Sequence, residues 1–99
     1  MTIKVIIRRR FKEGSLTEAS HMLVQARQNA MNESGYIASE TLKGCDDPNE
    51  ILVLSMWRRI SDWQRYESSP VRQELENKFS EIMDGPSQSV AYELGLQGT

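Results

Sequence analysis

Residues 3–11, Ile-Lys-Val-Ile-Ile-Arg-Arg-Arg-Phe, are rich in β-branched side chains and alternate only in part. Ile6 interrupts the period set by Ile3, Val5 and Ile7, and a strand apolar on both faces is covered on both faces. From Ser15 the period changes. Ala19, Met22, Leu23, Ala26 and Ala30 fall on one stripe at helical spacing, and Asn32, Ser34 and Gly35 supply stop signals. A helix is therefore predicted to run to about Asn32. Ser15 and Glu18 have the spacing of a capping box, in which each side chain takes the other's free backbone amide. Residues 36–44 and 50–58 read as two further strands, joined by Cys-Asp-Asp-Pro-Asn as a turn, hence a hairpin. The second of them is again apolar on both faces, with Ile51, Val53 and Trp57 on one and Leu52, Leu54 and Met56 on the other.

A second capping-box spacing, Ser61 to Gln64, opens a short helix. Ser69-Pro70 restarts it, with serine as cap and proline at the first helical position, where its missing N–H costs nothing. Val71, Leu75, Phe79 and Ile82 share a face of that segment, which stops at Gly85-Pro86. Residues 89–96 form a last strand. The order is β-α-β-β-α-β, an α+β class, ferredoxin-like arrangement with a four-stranded antiparallel sheet and its helices on one face. One domain over residues 1–99 is expected at this length. The first and third strands are central in that topology, and they are the two that are apolar on both faces. Helices cover only one face of the sheet, so a second copy of the chain is expected on the other, giving a homodimer.

Charge and composition narrow the partners. The formal net charge is −2 and charged residues make up 26% of the chain, a balance that points away from nucleic acid. No apolar run reaches the ~20 residues of a membrane span, and the N-terminal segment lacks the layout of a signal peptide. With a single cysteine, Cys45, the expectation is a cytoplasmic protein without an internal disulfide. Two aspartates follow Cys45, which argues against an activated thiolate, and no residues cluster at metal-ligand spacing. His21, the one histidine, lies far from the apolar stripe of its helix and is expected in solvent. Arg8, Arg9 and Arg10 are expected to mark a strand end or dimer rim rather than to grip an anionic substrate.

Residues 56–70 concentrate large side chains: Trp57, Trp63 and Tyr66 lie together, and Ser69-Pro70 follows. Leu54-Ser55-Met56-Trp57 with that continuation resembles the antibiotic biosynthesis monooxygenase family of the dimeric α+β barrel superfamily. In that family the tryptophan ends the third strand, an aromatic follows six residues on, and a histidine three later, where this chain has Tyr66. The resemblance implies oxygenation without metal or flavin: an aromatic or quinol-type substrate loses a proton, and its carbanion reduces oxygen directly. It does not extend to haem degradation. That branch has an asparagine on strand one, a tryptophan and an iron-binding histidine where this chain has Ile6, Tyr66 and Glu76.

On this resemblance the substrate-binding residues are Trp57, Trp63 and Tyr66, which wall an apolar slot for a hydrophobic or aromatic small molecule. Tyr66 and Glu76 are the candidate catalytic pair, with Glu40 a further proton acceptor, and no cofactor is expected. Trp63 and Tyr66 are i,i+3 on a helix and share a face, which suits a pocket wall and core equally. Two alternatives stand beside the oxygenase. One is a non-catalytic small-molecule-binding protein of the same fold, and the other an isomerase or lyase of the superfamily.

Overall fold

In the computed structural model, which describes residues 1–96, the chain runs β1 (Ile3–Arg10), α1 (Leu16–Met31), β2 (Tyr36–Lys43), β3 (Glu50–Trp57), α2 (Ile60–Glu67), α3 (Pro70–Ile82) and β4 (Gln88–Glu93). The sheet is antiparallel throughout, in the order β2-β3-β1-β4, with the helices on one face. This is the expected ferredoxin-like topology, and the two central strands are the two whose sequences are apolar on both faces. The register sorts the side chains. Ile3 lies opposite Trp57, Val5 opposite Ser55, Ile7 opposite Val53 and Arg9 opposite Ile51, all beneath the helices. Lys4, Ile6 and Arg8 face the other way, across from Met56, Leu54 and Leu52.

Two apolar clusters fill the space between sheet and helices. One is Ile3, Val5, Ile7, Ala30, Trp57, Trp63 and Tyr66; the other is Phe11, Ala19, Ile51, Leu75, Phe79 and Met83. The stripe predicted for α1 lies on these clusters, Ala19 and Ala30 fully buried and Met22, Leu23 and Ala26 partly so. The other face of the sheet carries no helix. Leu52, Leu54 and Met56 are half-buried there, and Leu42 and Val90 are exposed.

Local details depart from the sequence reading. Ser15 occupies the N-cap position of α1 but makes no side-chain capping hydrogen bond. At α2 the N-cap is the extended Arg59, and Ser61 lies inside the helix. Asp62 in its first turn instead accepts from Arg65 at 2.7 Å. Ser69 does cap α3, its side chain accepting from the Arg72 amide, with Pro70 behind it. On α3 Leu75 and Phe79 are buried and Ile82 packs on the core as predicted, whereas Val71 is exposed and Arg72 takes the buried place in the first turn. β4 ends at Glu93, short of the expected residue 96, and residues 97–99 of the expected domain lie outside the described part.

β2 contains a bulge. Tyr36 pairs with Trp57 and Ala38 with Met56, so Ile37 is the extra residue. Strict alternation would put Tyr36 and Ala38 on one face. The inserted residue instead aligns Tyr36 with Ser39 and Thr41 on the helix side. Just before it, Gly35 has φ +88°, and a Cβ there would collide with the Asp62 carboxyl group. Only glycine meets both conditions, so α2 can seat itself directly on the start of β2.

Candidate functional site

The bulge and the end of β3 bring the large side chains to one place. Trp57, wholly buried, is the last residue of β3, and its indole N–H donates to Ser55 Oγ at 3.0 Å. Tyr66 stacks on it with ring centroids 5.3 Å apart and planes 26° apart. Trp63 packs against both at 5.8 and 6.2 Å, and Tyr36 meets Trp57 edge-on at 5.6 Å. Offset and edge contacts of this kind are the favoured arrangements of aromatic rings. Tyr36 also shares a hydrogen bond with Ser39 Oγ at 2.7 Å.

These rings form one wall of a cavity between α1, α3 and the sheet, and Trp57, Trp63, Tyr66 and Glu76 all line it. The four residues named from sequence therefore converge. Glu40 does not join them. It lies opposite Leu54, on the sheet face away from the cavity. His21 and Cys45 are exposed.

Beside the rings, Glu76 is held in a polar cluster whose two arginines sequence reasoning did not place there. Arg9 is 3% exposed and Arg72 8%, and both line the cavity. Arg9 Nη2 donates to Glu76 Oε1, which also lies 3.5 Å from Arg72 Nη2. Ser87 Oγ donates to the other carboxylate oxygen at 3.4 Å. Each guanidinium also rests on a ring, Arg9 over Phe79 at 4.3 Å and Arg72 over Trp63 at 5.0 Å. Such cation–π contacts gain strength when water is excluded. Arg9 is therefore not at a dimer rim but in the core. Parity held the clue, since Ile3, Val5, Ile7 and Arg9 occupy alternate positions of one strand.

Two groups of the cluster are electrostatically displaced. Burial pulls the Arg9 guanidinium below its ordinary range, an effect opposed by Glu76 and reinforced by Arg72. Burial pushes the Tyr66 phenol up, with Arg72 and Arg9 pulling it back. Arginine keeps its charge in proteins, and a phenol raised in this way stays protonated at neutral pH. Tyr66 is thus a hydrogen-bond donor, and its hydroxyl is given to the Ala26 carbonyl at 3.3 Å, a long bond. Glu76 is the acceptor of the group, with one oxygen shared between two arginines.

The void has about 50 Å³ of room for water-sized molecules. That exceeds the ~10–15 Å³ needed for one water and falls short of the ~150 Å³ cavity that holds a benzene ring. It adjoins a wider groove of about 440 Å³ between α1 and β2, with Leu23, Arg27 and Thr41 common to both. Among the described residues no three His, Cys, Asp or Glu side chains are grouped to hold a metal ion, and no helix is long and apolar enough to cross a membrane.

Comparison with known proteins follows this geometry closely at the level of fold. A conserved protein from Methanosarcina mazei superposes with a TM-score of 0.86 at 17% identity, covering 94% of this chain and 92% of its own. SnoaB, a cofactor-independent oxygenase from Streptomyces nogalater, gives 0.84 at 12% identity, over 96% and 94% of the two chains. Rv0793 from Mycobacterium tuberculosis gives 0.84 at 13% identity over the whole of both. At these identities the likeness is one of fold alone. No curated protein sequence matches the chain. The model of the antibiotic biosynthesis monooxygenase family, however, matches residues 2–78, and the chain belongs to that family.

Proposed function

We propose that the protein is a cofactor-independent monooxygenase acting on an aromatic or quinol-type small molecule bound between α1 and the sheet. The observation that carries this reading is the cavity itself, lined together by stacked aromatic rings, two buried guanidiniums and a carboxylate. The chemistry asks for a group that accepts a proton and a field that stabilises the resulting enolate. Glu76 is the proton acceptor of the proposal. Arg9 and Arg72 stabilise the negative charge, and the protonated Tyr66 donates to the substrate oxygen after giving up its long bond to Ala26. For an anthrone the balance is a methylene plus one O₂ giving a ketone and one water, with both electron pairs supplied by the substrate. The proposal includes a cytoplasmic homodimer formed through the uncovered sheet face.

One observation favours a second reading, binding without turnover. Both oxygens of Glu76 are already engaged, by Arg9, Arg72 and Ser87, so acting as a base requires it to release a partner. Oxygen uptake distinguishes the two. With a chelator present, a panel of anthrones and quinols is expected to include one that consumes O₂ well above the protein-free rate, one O₂ per ketone formed. Binding across the panel with no uptake above that rate assigns the protein to the second reading.

A further inference from the structure

The charges lining the cavity and its adjoining groove do not match those of the chain as a whole. The protein carries a net −2, yet Arg9, Arg72, Arg27 and Lys43 line this space against the single carboxylate of Glu76. Arg27 and Lys43 are exposed and take part in no ion pair among the described residues. Deeper in, Arg9 Nε is fully shielded from solvent and has no hydrogen-bond partner among them. A buried guanidinium N–H left unpaired is costly, and one carboxylate shared by two arginines leaves a positive charge uncompensated. The inner void is too small for a ring but large enough for a carboxylate-sized group, while the groove beyond it has room for an apolar body.

We propose that the ligand of this site is an organic monoanion: a carboxylate, or an equally planar enolate, that enters the inner void beside Arg9 and Arg72 and leaves a ring-sized apolar body in the groove between α1 and β2. The proposal deepens the oxygenase reading by naming the charge of the substrate, and it rests on that reading only for the location of the site. The anion would accept from the Arg72 guanidinium, which lines the void and holds its carboxylate partner only at 3.5 Å, while the shielded charge of Arg9 beside it adds to the attraction. Leu23 and Ile51 offer apolar contact to the body. Arg27 and Lys43 stand at the mouth, where they attract the anion from solvent and are screened by salt.

Calorimetric titration of the intact protein tests this with matched probes: benzoate, 1-naphthoate and 1-hydroxy-2-naphthoate, each beside its neutral carboxamide. At least one acid is expected to bind about tenfold or more tighter than its amide, equivalent to about 1.4 kcal/mol. Most of that preference should persist in high salt, because the deep arginines are shielded from it. The double variant Arg27→Gln/Lys43→Gln changes only exposed side chains, so it should fold normally. It should lower acid affinity several-fold at low salt and leave amide affinity unchanged. Arg72→Gln, checked for folding by circular dichroism, should remove most of the remaining preference. Equal binding of acid and amide, or no binding of any acid at millimolar concentration, overturns the proposal. Failure of the oxygenase reading is separate: acid preference without oxygen uptake leaves this inference standing, and uptake on neutral anthrones without acid preference removes it alone.

Discussion

Tyr66 belongs to two environments at once. Its ring is stacked on Trp57 in the core, while its hydroxyl edges the cavity with only a long bond to Ala26. Tyr66→Phe keeps the stack and deletes that bond, so it should change stability by no more than ~1 kcal/mol. Trp57→Ala empties a fully buried position and should cost ~3–5 kcal/mol. Urea unfolding of the two variants measures both, and equal losses would show that the hydroxyl is structural. The pH dependence follows from the raised phenol. Between the ordinary tyrosine value of ~10 and the higher folded value, the native state holds more protons than the unfolded chain. Tyr66 therefore contributes fully below about pH 10, and its contribution is lost as pH rises through the folded value. The wild-type minus Tyr66→Phe stability difference should shrink over that alkaline range; a constant difference would contradict it. Trp57, Trp63 and Tyr66 were legible because large aromatics and their helical spacing are visible in a single sequence, whereas Glu76 was named only through the family resemblance. Arg9 and Arg72 were not. Strand parity hinted at the side Arg9 faces, but its burial depends on a carboxylate 67 residues away, and Arg72 stands four residues from that carboxylate, a helical spacing common to exposed pairs.

At the scale of elements, hydrophobic period marked the central strands, α1 and α3, while α2 and its break from α3 were read from the spacings at Ser61 and Ser69-Pro70. Capping was less legible. Ser15 and Ser61 have the right spacing, yet neither side chain caps, whereas Ser69 does, with proline fixing the first turn behind it. A spacing offers a hydrogen bond, and the incoming chain direction decides whether it forms. The bulge at Ile37 was invisible for a related reason: its cause lies in the pairing with β3, not in β2 itself. Deleting Ile37 should remove the bulge and leave Tyr36 two residues from Ser39, so regular alternation keeps Tyr36, Ser39 and Thr41 on the helix side. Ile37 is itself exposed, so the cost should stay within ~1 kcal/mol. Near-UV and far-UV circular dichroism should both be kept. A near-UV spectrum that collapses while the far-UV spectrum is kept would show that the aromatic wall needs the bulge itself.

For the molecule as a whole, the proposed homodimer rests on the bare sheet face. Ile6, Leu52, Leu54 and Met56 form an apolar centre there, and the exposed Leu42 and Val90 extend it towards both edges. The homodimer proposed above would use this face, since apolar patches of this kind are where partners dock. Sedimentation should find a dimer at micromolar concentration, and Leu54→Lys, at the centre of the face, should release a folded chain of 11.4 kDa. A folded wild-type monomer at that concentration would refute the assembly. The same architecture has an optical consequence. Both tryptophans of the chain and two of its three tyrosines stand in one cavity wall, with only Tyr92 elsewhere. Light absorbed at the red edge, where tyrosine is silent, therefore excites nothing but that wall. The emission of this protein is not an average over scattered indoles but the signal of a single site, a built-in indicator for whatever enters it.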